Sequence, residues 1–380
     1  MQLSNIIVAG ALIFALATSS AAAGGDSNDL QQLLETLPRH YVAYRAGAEI
    51  LIDGRLDEPS WQRVPWTDEF VDIQADSASD PPLLATRAKI VWDEEFLYIA
   101  ADLEEPHLWA TLKKRDDYIY HDNDFEVFID PDGDTHMYYE FEMNVFGTTW
   151  DLFLVRPYRD GGPYVSSWDI GGMEAAVEVW GTVNDPRDED EGWFVELAFP
   201  WTVLGESANR PVPPREGDQW RLNLGRVQWP LEVERDGEGY AKISGGTAEH
   251  WVWSPQGIDD MHYPEQWGIV QFSAQRAGAG TVAFEPAPED PARHLLREIY
   301  YRQREFHQRT GRYTDSLDSL GIGHRILRNF LWPPGLQSTD QMYEAWLEEV
   351  EDLNHDGQIS RWSIRQDSRI WKAETAGSAE

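Results

Sequence analysis

The chain has 380 residues, no cysteine and a formal net charge of −36 at pH 7. This charge argues against nucleic acid and anionic membrane surfaces as partners, because both would repel the protein. Without cysteines there are no disulfides, so a buried core must supply the stability. The 18 Trp and 15 Tyr residues exceed what that core needs, so some should lie at a surface where aromatic rings stack on ligands.

The first 23 residues carry no charged side chain, and residues 6–17 form an apolar stretch that is followed by three alanines at 21–23. This stretch is too short to cross a membrane, so it predicts a signal peptide over 1–23. We therefore expect an exported protein, periplasmic or extracellular, whose mature chain is not inserted in a membrane. Residues 24–47 are predicted to form an N-terminal lead segment before the first domain, beginning with a short helix or a flexible stretch.

Short segments of alternating polarity dominate the chain from about residue 49 to residue 272. Clusters of Asp, Gly and Pro separate them, and none has a helical period of the length that βαβ units require. The pattern predicts an all-β fold, an antiparallel β-sandwich of immunoglobulin-like or jelly-roll-like type, over 48–273. The predicted strands are 89–92, 96–102, 125–130, 138–145, 150–156, 175–183, 193–200, 220–229 and 267–272.

The remainder of the chain is predicted to be a small α+β extension. Residues 274–291 form an Ala/Gly/Pro linker, and the extension covers 292–372. An amphipathic helix is predicted over 292–309, followed by a second short helix within 311–320 and two strands within 341–372.

Two predicted strands, 125–130 and 138–145, carry the most informative pattern. One face of the pair is apolar, with Phe125, Val127, Ile129, Tyr139, Phe141, Met143 and Val145. The other face carries Glu126, Glu140, Glu142 and Asn144. Antiparallel pairing would set these polar groups beside the aromatic Tyr120. Rings that stack and carboxylates that bind hydroxyls suit a neutral polyhydroxylated ligand, most simply a sugar.

Several segments resemble family 9 carbohydrate-binding-module-like domains, and together they cover roughly residues 48–273 in the family's order. They are Ile52-Asp-Gly-Arg-Leu-Asp-Glu-Pro-Ser-Trp61 and the segments 90–98, 123–130, 192–201 and 251–268. The segment 300–317 resembles an extension that many exported bacterial members carry. The resemblance implies a β-sandwich that binds glucans, xylans or their ends.

The resemblance also implies a binding site. In the family, two aromatic rings clamp a terminal sugar and polar groups bind its hydroxyls. Tyr120 stands at the position of the first ring, Met261 at that of the second, and Glu126 at that of a carboxylate. Glu142 stands where the family has an arginine.

Three further residues are candidate ligand contacts. Arg226 and Trp229 lie near the end of strand 220–229, and His262 lies before the last strand of the sandwich. Two of them have a structural alternative: Arg226 could pair with an acidic residue, and His262 could anchor its loop.

Calcium is the metal cofactor for which the sequence offers candidate ligands in its loops. Asp53 and Asp57 could join an oxygen-rich calcium site or simply close a turn. Residues 352–360 imitate the first nine positions of an EF-hand loop, but Ser363 stands where a bidentate Glu is needed, so a hairpin turn is favoured.

The predicted function is non-catalytic binding of neutral glucan-type or xylan-type saccharides in support of polysaccharide degradation. Two alternatives remain open. Glycoside hydrolysis would need two carboxyl groups about 5–10 Å apart. Haem binding would need a pair of axial ligands, for which Met143, Met173, Met261, His136 and His262 are available.

Overall fold

The computed structural model describes residues 27–75, 81–353 and 357–374. The predicted signal peptide therefore lies outside the described residues, as does part of the EF-hand-like segment. No helix in the described ranges has the length and apolar character needed to cross a membrane. The α-helices are α1 (Ser27–Glu35), α2 (Pro59–Arg63), α3 (Trp201–Leu204) and α4 (Asp290–Thr310).

Most of the described chain is β-structure. The strands are β1 (His40–Arg45), β2 (Val71–Asp72), β3 (Thr86–Trp92), β4 (Phe96–Glu104), β5 (Asp124–Asp130), β6 (Tyr138–Asn144), β7 (Thr149–Leu154), β8 (Tyr164–Val165), β9 (Glu174–Trp180), β10 (Gly192–Pro200), β11 (Gln219–Gln228), β12 (Leu231–Val233), β13 (Tyr240–Lys242), β14 (Glu249–Val252), β15 (Gly268–Arg276), β16 (Gly335–Ser338), β17 (Tyr343–Glu348), β18 (Ser360–Arg365) and β19 (Ile370–Glu374).

The large sheet folds back on itself to form a sandwich. Its hydrogen-bonded order is β8-β7-β6-β5-β11-β15-β1-β3-β4-β10-β9, with β14 beside β11 and β2 beside β14. The two halves pack face to face: the rings of Phe141 on β6 and Phe199 on β10 lie 5.7 Å apart across the interface between them. The predicted all-β sandwich is confirmed.

Strand β1 was not predicted, since it falls within the segment 24–47 that the sequence suggested as a lead. It pairs in parallel with both β15 and β3. These partners are remote in sequence, so no hairpin or turn signal marks β1 locally. It joins the two halves of the sandwich through its place in the middle of the sheet.

Tryptophans from strands β3, β10 and β11 lie in the sandwich core. Trp92, Trp193 and Trp220 are all buried in one cluster. Trp92 contacts the ring of Phe272 edge-on at 6.1 Å, and Trp201 contacts Trp220 at 5.6 Å. Aromatic rings in such edge-to-face arrangements add to the free energy of area burial.

The C-terminal extension forms its own small core. Strands β16 to β19 make an antiparallel four-stranded sheet, and α4 packs against it. Helix α1 joins this core through Leu30 and Leu33. The predicted long helix is present, whereas the predicted second helix reduces to one 3₁₀ turn, Asp318–Leu320. The tail has three strands rather than two, because β18 pairs with β17 on one side and β19 on the other.

The extension is attached to the sandwich at the turn between β5 and β6. His136 Nε2 lies 2.8 Å from the Asp367 carbonyl oxygen, and Arg369 Nε donates to Asp134 Oδ2 at 3.0 Å. The extension therefore contacts the same hairpin that carries the polar face of the sandwich.

Candidate functional site

The outer face of the β5–β6 hairpin holds four carboxyl groups, which we call the acidic cluster: Asp124, Glu126, Glu140 and Glu142. The predicted faces are correct, since the alternate residues of both strands lie in the sandwich core. Glu126 and Glu142 are directly opposite each other in the antiparallel register. Side chains in that position are close neighbours, so like charges there are costly.

Burial raises the pKa of every member of the acidic cluster. The pKa of Glu126 rises to about 7, and that of Glu140, which also faces Glu126, to about 8. Burial and neighbouring carboxylates raise the pKa values of Asp124 and Glu142 well above their ordinary values. Burial therefore favours the protonated form of these groups, because the charged form loses solvation there.

Four exposed tyrosines lie next to the acidic cluster, and we call them the tyrosine rim: Tyr118, Tyr120, Tyr158 and Tyr164. Their exposed fractions are 51%, 38%, 42% and 42%, so all four rings are accessible. The rings of Tyr118 and Tyr120 lie 6.0 Å apart, and those of Tyr158 and Tyr164 lie 5.9 Å apart. Trp150 supports the first pair, with its ring 5.1 Å from that of Tyr118.

Direct contacts join the rim to the cluster. The Tyr120 backbone N–H donates to Glu142 Oε2 at 2.9 Å. Burial and the nearby Glu140 raise the pKa of Tyr158, and burial and Tyr118 raise that of Tyr164. These phenols therefore stay protonated near neutral pH and can both donate and accept hydrogen bonds.

Met261 packs over the acidic cluster, so the position of the family's second aromatic ring holds a thioether here. A methyl group added at Gly225 of β11 would lie 2.5 Å from Glu126 Oε2 and 2.8 Å from Met261 Cε. Glycine at this position is what allows the carboxyl group and the thioether to approach the strand. Glu126 is buried beneath this contact.

His262 lies between the rim and the hydrophobic residues behind it. Its Nδ1 is 2.9 Å from the Tyr138 hydroxyl, and its ring is 4.4 Å from that of Tyr158. Burial lowers the pKa of His262 to about 4, so the imidazole is neutral near pH 7. It therefore holds Tyr158 through ring packing without adding a positive charge.

Trp229 and Arg226 have different surroundings although they are three residues apart. Trp229 lies beside the rim, since its Nε1 donates to the Tyr120 carbonyl oxygen at 2.8 Å and its ring lies 3.3 Å from Lys242 Nζ. Arg226 instead lies on the core-facing side of β11, where its guanidinium binds Glu105 at 3.0 Å and Thr86 at 2.9 Å. The alternation of side chains along β11 thus separates Arg226 from the cluster.

An ion-pair network behind the rim reaches the extension. Arg159, next to Tyr158, donates to both carboxylate oxygens of Glu265 at 2.8 and 2.9 Å and to the His262 carbonyl oxygen at 2.9 Å. On α4, Tyr301 donates to Glu265, and Tyr300 donates to Asp160 at 2.7 Å. Helix α4 therefore holds the loops that carry Tyr158 and His262.

Asp53 and Asp57 are exposed and lie away from this site. Asp53 Oδ1 accepts the Arg55 N–H at 3.0 Å, which is the turn geometry considered from the sequence. Among the described residues, the groups of carboxyls spaced to share an ion include neither aspartate. The carboxyl that organises this turn is the buried Glu196, which accepts the Asp53 and Gly54 N–H groups and Trp61 Nε1.

Sequence reasoning missed Tyr158 and Tyr164 as site residues. Both follow β7 in a region of turns with no periodic pattern, and their place at the site depends on the short strand β8 pairing with β7. The only local signal was the density of tyrosine between residues 118 and 164. Glu140 was on the predicted polar face, whereas Asp124 lies just before the predicted strand 125–130. Nothing in the sequence showed that either would be buried.

Comparisons with known proteins match the segment that contains this site. The family described as "Carbohydrate family 9 binding domain-like" matches residues 52–212, which include the acidic cluster and the tyrosine rim. Among curated proteins, Exoglucanase XynX of Acetivibrio thermocellus is 26% identical over 185 residues. Endo-1,4-beta-xylanase A of Thermoanaerobacterium saccharolyticum is 26% identical over 157 residues.

These two matches cover 47% and 41% of the chain but only 14% and 11% of the two enzymes. Among solved structures, a putative carbohydrate-binding protein from Bacteroides uniformis has a TM-score of 0.45 and 16% identity, covering 62% of this chain and 100% of that one. A family 9 module from Caldicellulosiruptor kristjanssonii in complex with cellotriose has a TM-score of 0.39 and 15% identity, covering 65% and 100%.

Proposed function

We propose, from the premise that residues 52–212 form a family 9 carbohydrate-binding-like domain, that this chain binds neutral saccharides at the tyrosine rim. The glucan and xylan types are the ligand classes we propose. The observation that carries the proposal is the group of four exposed tyrosines packed against buried carboxyl groups on the outer face of one hairpin.

The chemistry of the rim suits a sugar without charge. Exposed phenol rings offer apolar faces to the C–H faces of a pyranose, and their hydroxyls can donate to or accept from its hydroxyl groups. The net charge of −36 disfavours acidic polysaccharides, which would be repelled.

The buried carboxyls act behind the rim in this proposal. Glu142 holds the Tyr120 backbone, and Glu126 lies beneath Met261, so neither presents its carboxyl group to open solvent. A sugar would thus meet tyrosine rings and hydroxyls first. We expect modest affinity, because stacking and a few hydrogen bonds must offset the ordering cost of binding.

The cellular role follows as a second part of the proposal. The uncharged, partly apolar N-terminal segment supports export, and the matches to an exoglucanase and a xylanase support a role in polysaccharide degradation. We propose that the chain contributes binding to that process rather than bond cleavage.

The test is affinity electrophoresis of the purified protein through gels that contain soluble glucans or xylans. Wild-type protein should be retarded by at least one neutral polysaccharide, and Tyr120→Ala should lose most of that retardation. Trp180→Ala is the matched control, because Trp180 is an exposed aromatic on the distant edge strand β9. Equal retardation of Tyr120→Ala and wild type would contradict this site, and release of reducing ends would indicate hydrolysis instead.

A further inference from the structure

Three members of the acidic cluster are arranged like the ligands of a metal ion. Asp124, Glu126 and Glu142 each offer a carboxylate oxygen, and these oxygens all lie within 4.8 Å of one another. Their exposed fractions are only 1%, 8% and 1%. Three carboxyl groups that are this close together and shielded from water repel each other strongly when they are ionised.

Hydrogen bonds from the protein satisfy this group only in part. Asp124 Oδ1 accepts the Val227 N–H at 3.1 Å, but Asp124 Oδ2 is buried without a hydrogen-bond partner. The same is true of Oε2 of the adjacent Glu140, whose side chain is 5% exposed. Buried polar atoms are almost always partnered in folded proteins, so two such oxygens in one cluster point to a ligand that completes them.

Among the described residues, no lysine or arginine makes an ion pair or hydrogen bond with a member of the acidic cluster. The guanidinium of Arg226, on the adjacent strand β11, is occupied by Glu105, Thr86 and Gln228. His250 faces Glu126 but is paired with Asp259 at 3.2 Å.

We propose that the acidic cluster is a calcium site in which Asp124, Glu126 and Glu142 are the protein ligands and Glu140 supplies a further oxygen. The donor set consists only of carboxylate oxygens, which hard cations prefer, and Ca²⁺ tolerates the irregular geometry that a strand pair imposes better than Mg²⁺ does. This site is separate from the turn of Asp53 and Asp57, which the sequence suggested as a calcium site. The proposal does not depend on saccharide binding.

Calcium at this site should also affect saccharide binding, and this part of the inference rests on the proposed function. Glu142 accepts the Tyr120 backbone N–H, so an ion that holds Glu142 also orders the base of the tyrosine rim. Calcium should then increase saccharide affinity without touching the sugar.

The test is thermal unfolding and isothermal titration of the purified protein with CaCl₂ alone, in buffer cleared of metal by chelation. Calcium should raise the melting temperature over roughly 10⁻⁴ to 10⁻³ M, the range of many extracellular calcium modules. Glu142→Gln should abolish this rise and, in the presence of EDTA, should melt above wild type, because it removes a carboxyl group whose ionised form is buried and uncompensated. A merely structural carboxylate would not give both effects.

The matched control is Glu196→Gln, since Glu196 is also a buried carboxyl on a sandwich strand but lies outside the cluster. It should keep the full calcium response. Wild-type protein that melts identically in calcium and EDTA would overturn the proposal, as would equal calcium responses in the two variants. Saccharide binding that persists unchanged in EDTA would overturn only the link to the rim, whereas loss of sugar binding with an intact calcium response would overturn only the proposed function.

Discussion

Arg159 and Glu265 form a buried ion pair in which one guanidinium nitrogen, Nη2, donates to both carboxylate oxygens at 2.8 and 2.9 Å. Burial alone would raise the pKa of Glu265, but Arg159, Arg297 and the Tyr301 hydroxyl together outweigh burial and lower that pKa to about 2. The pair joins the loop of Tyr158 to the loop of His262, and α4 closes it through Tyr301. The extension is therefore part of the support of the tyrosine rim.

Replacing Arg159 should destabilise the protein strongly. Arg159→Met leaves Glu265 buried without its partner, which typically costs about 3–5 kcal/mol of unfolding free energy. Urea unfolding followed by tryptophan fluorescence measures this cost. Arg187→Met is the control, because Arg187 pairs with Asp185 at an exposed position, where solvent screens the ion pair and leaves it little effect on stability. Equal stability of the two variants would show that the buried pair is not needed.

Gly225→Ala should disturb the covering of the acidic cluster. The added methyl group would lie within 2.8 Å of both Glu126 and Met261, and overpacking of this kind costs about 1–3 kcal/mol. Gly171→Ala is the matched control, because nothing lies within 4 Å of the methyl group there. Chemical denaturation of both variants checks the difference, and a Gly225→Ala protein as stable as wild type would mean that Met261 moves away freely.

Glu196 should make stability depend on pH. Burial raises its pKa to about 7, despite hydrogen bonds from Trp61, Asp53 and Gly54 that act in the opposite direction. A folded-state pKa above the unfolded value contributes stability at low pH that is lost as pH rises, here from about 4.5 to about 7.

The measurement is the unfolding free energy of wild type and Glu196→Gln at several pH values across that window. The wild type should lose stability relative to the variant as pH rises. Glu174→Gln, on an exposed position of the neighbouring strand β9, should show no such change. A difference between wild type and Glu196→Gln that is constant with pH would contradict the raised pKa.

The sequence predicted those strands in which polar and apolar residues alternate locally. The alternation in β5 and β6 predicted which residues enter the core, and Phe125, Val127 and Phe141 do so. Strand β1 escaped prediction because its parallel partners lie far along the chain, and Arg226 was interpreted without knowing which face of β11 it occupies.

The candidate site was only partly visible in the sequence for a related reason. Tyr120, Glu126 and Glu142 belong to a motif with strong local pattern, whereas Tyr158 and Tyr164 reach the same surface through a non-periodic loop. The burial of the carboxyls depends on residues from separate segments, among them Met261. Burial of this kind depends on tertiary contacts, which leave no pattern in a single segment of the sequence.

The most direct test of the central claim is isothermal titration of the protein with the neutral oligosaccharide that the electrophoretic screen selects. Tyr120→Ala and Tyr158→Ala should each weaken binding by about 1 kcal/mol, roughly fivefold, and the double variant should lose measurable binding. Trp180→Ala should bind as wild type does. Retention of wild-type affinity by the double variant would contradict the assignment of saccharide binding to the tyrosine rim.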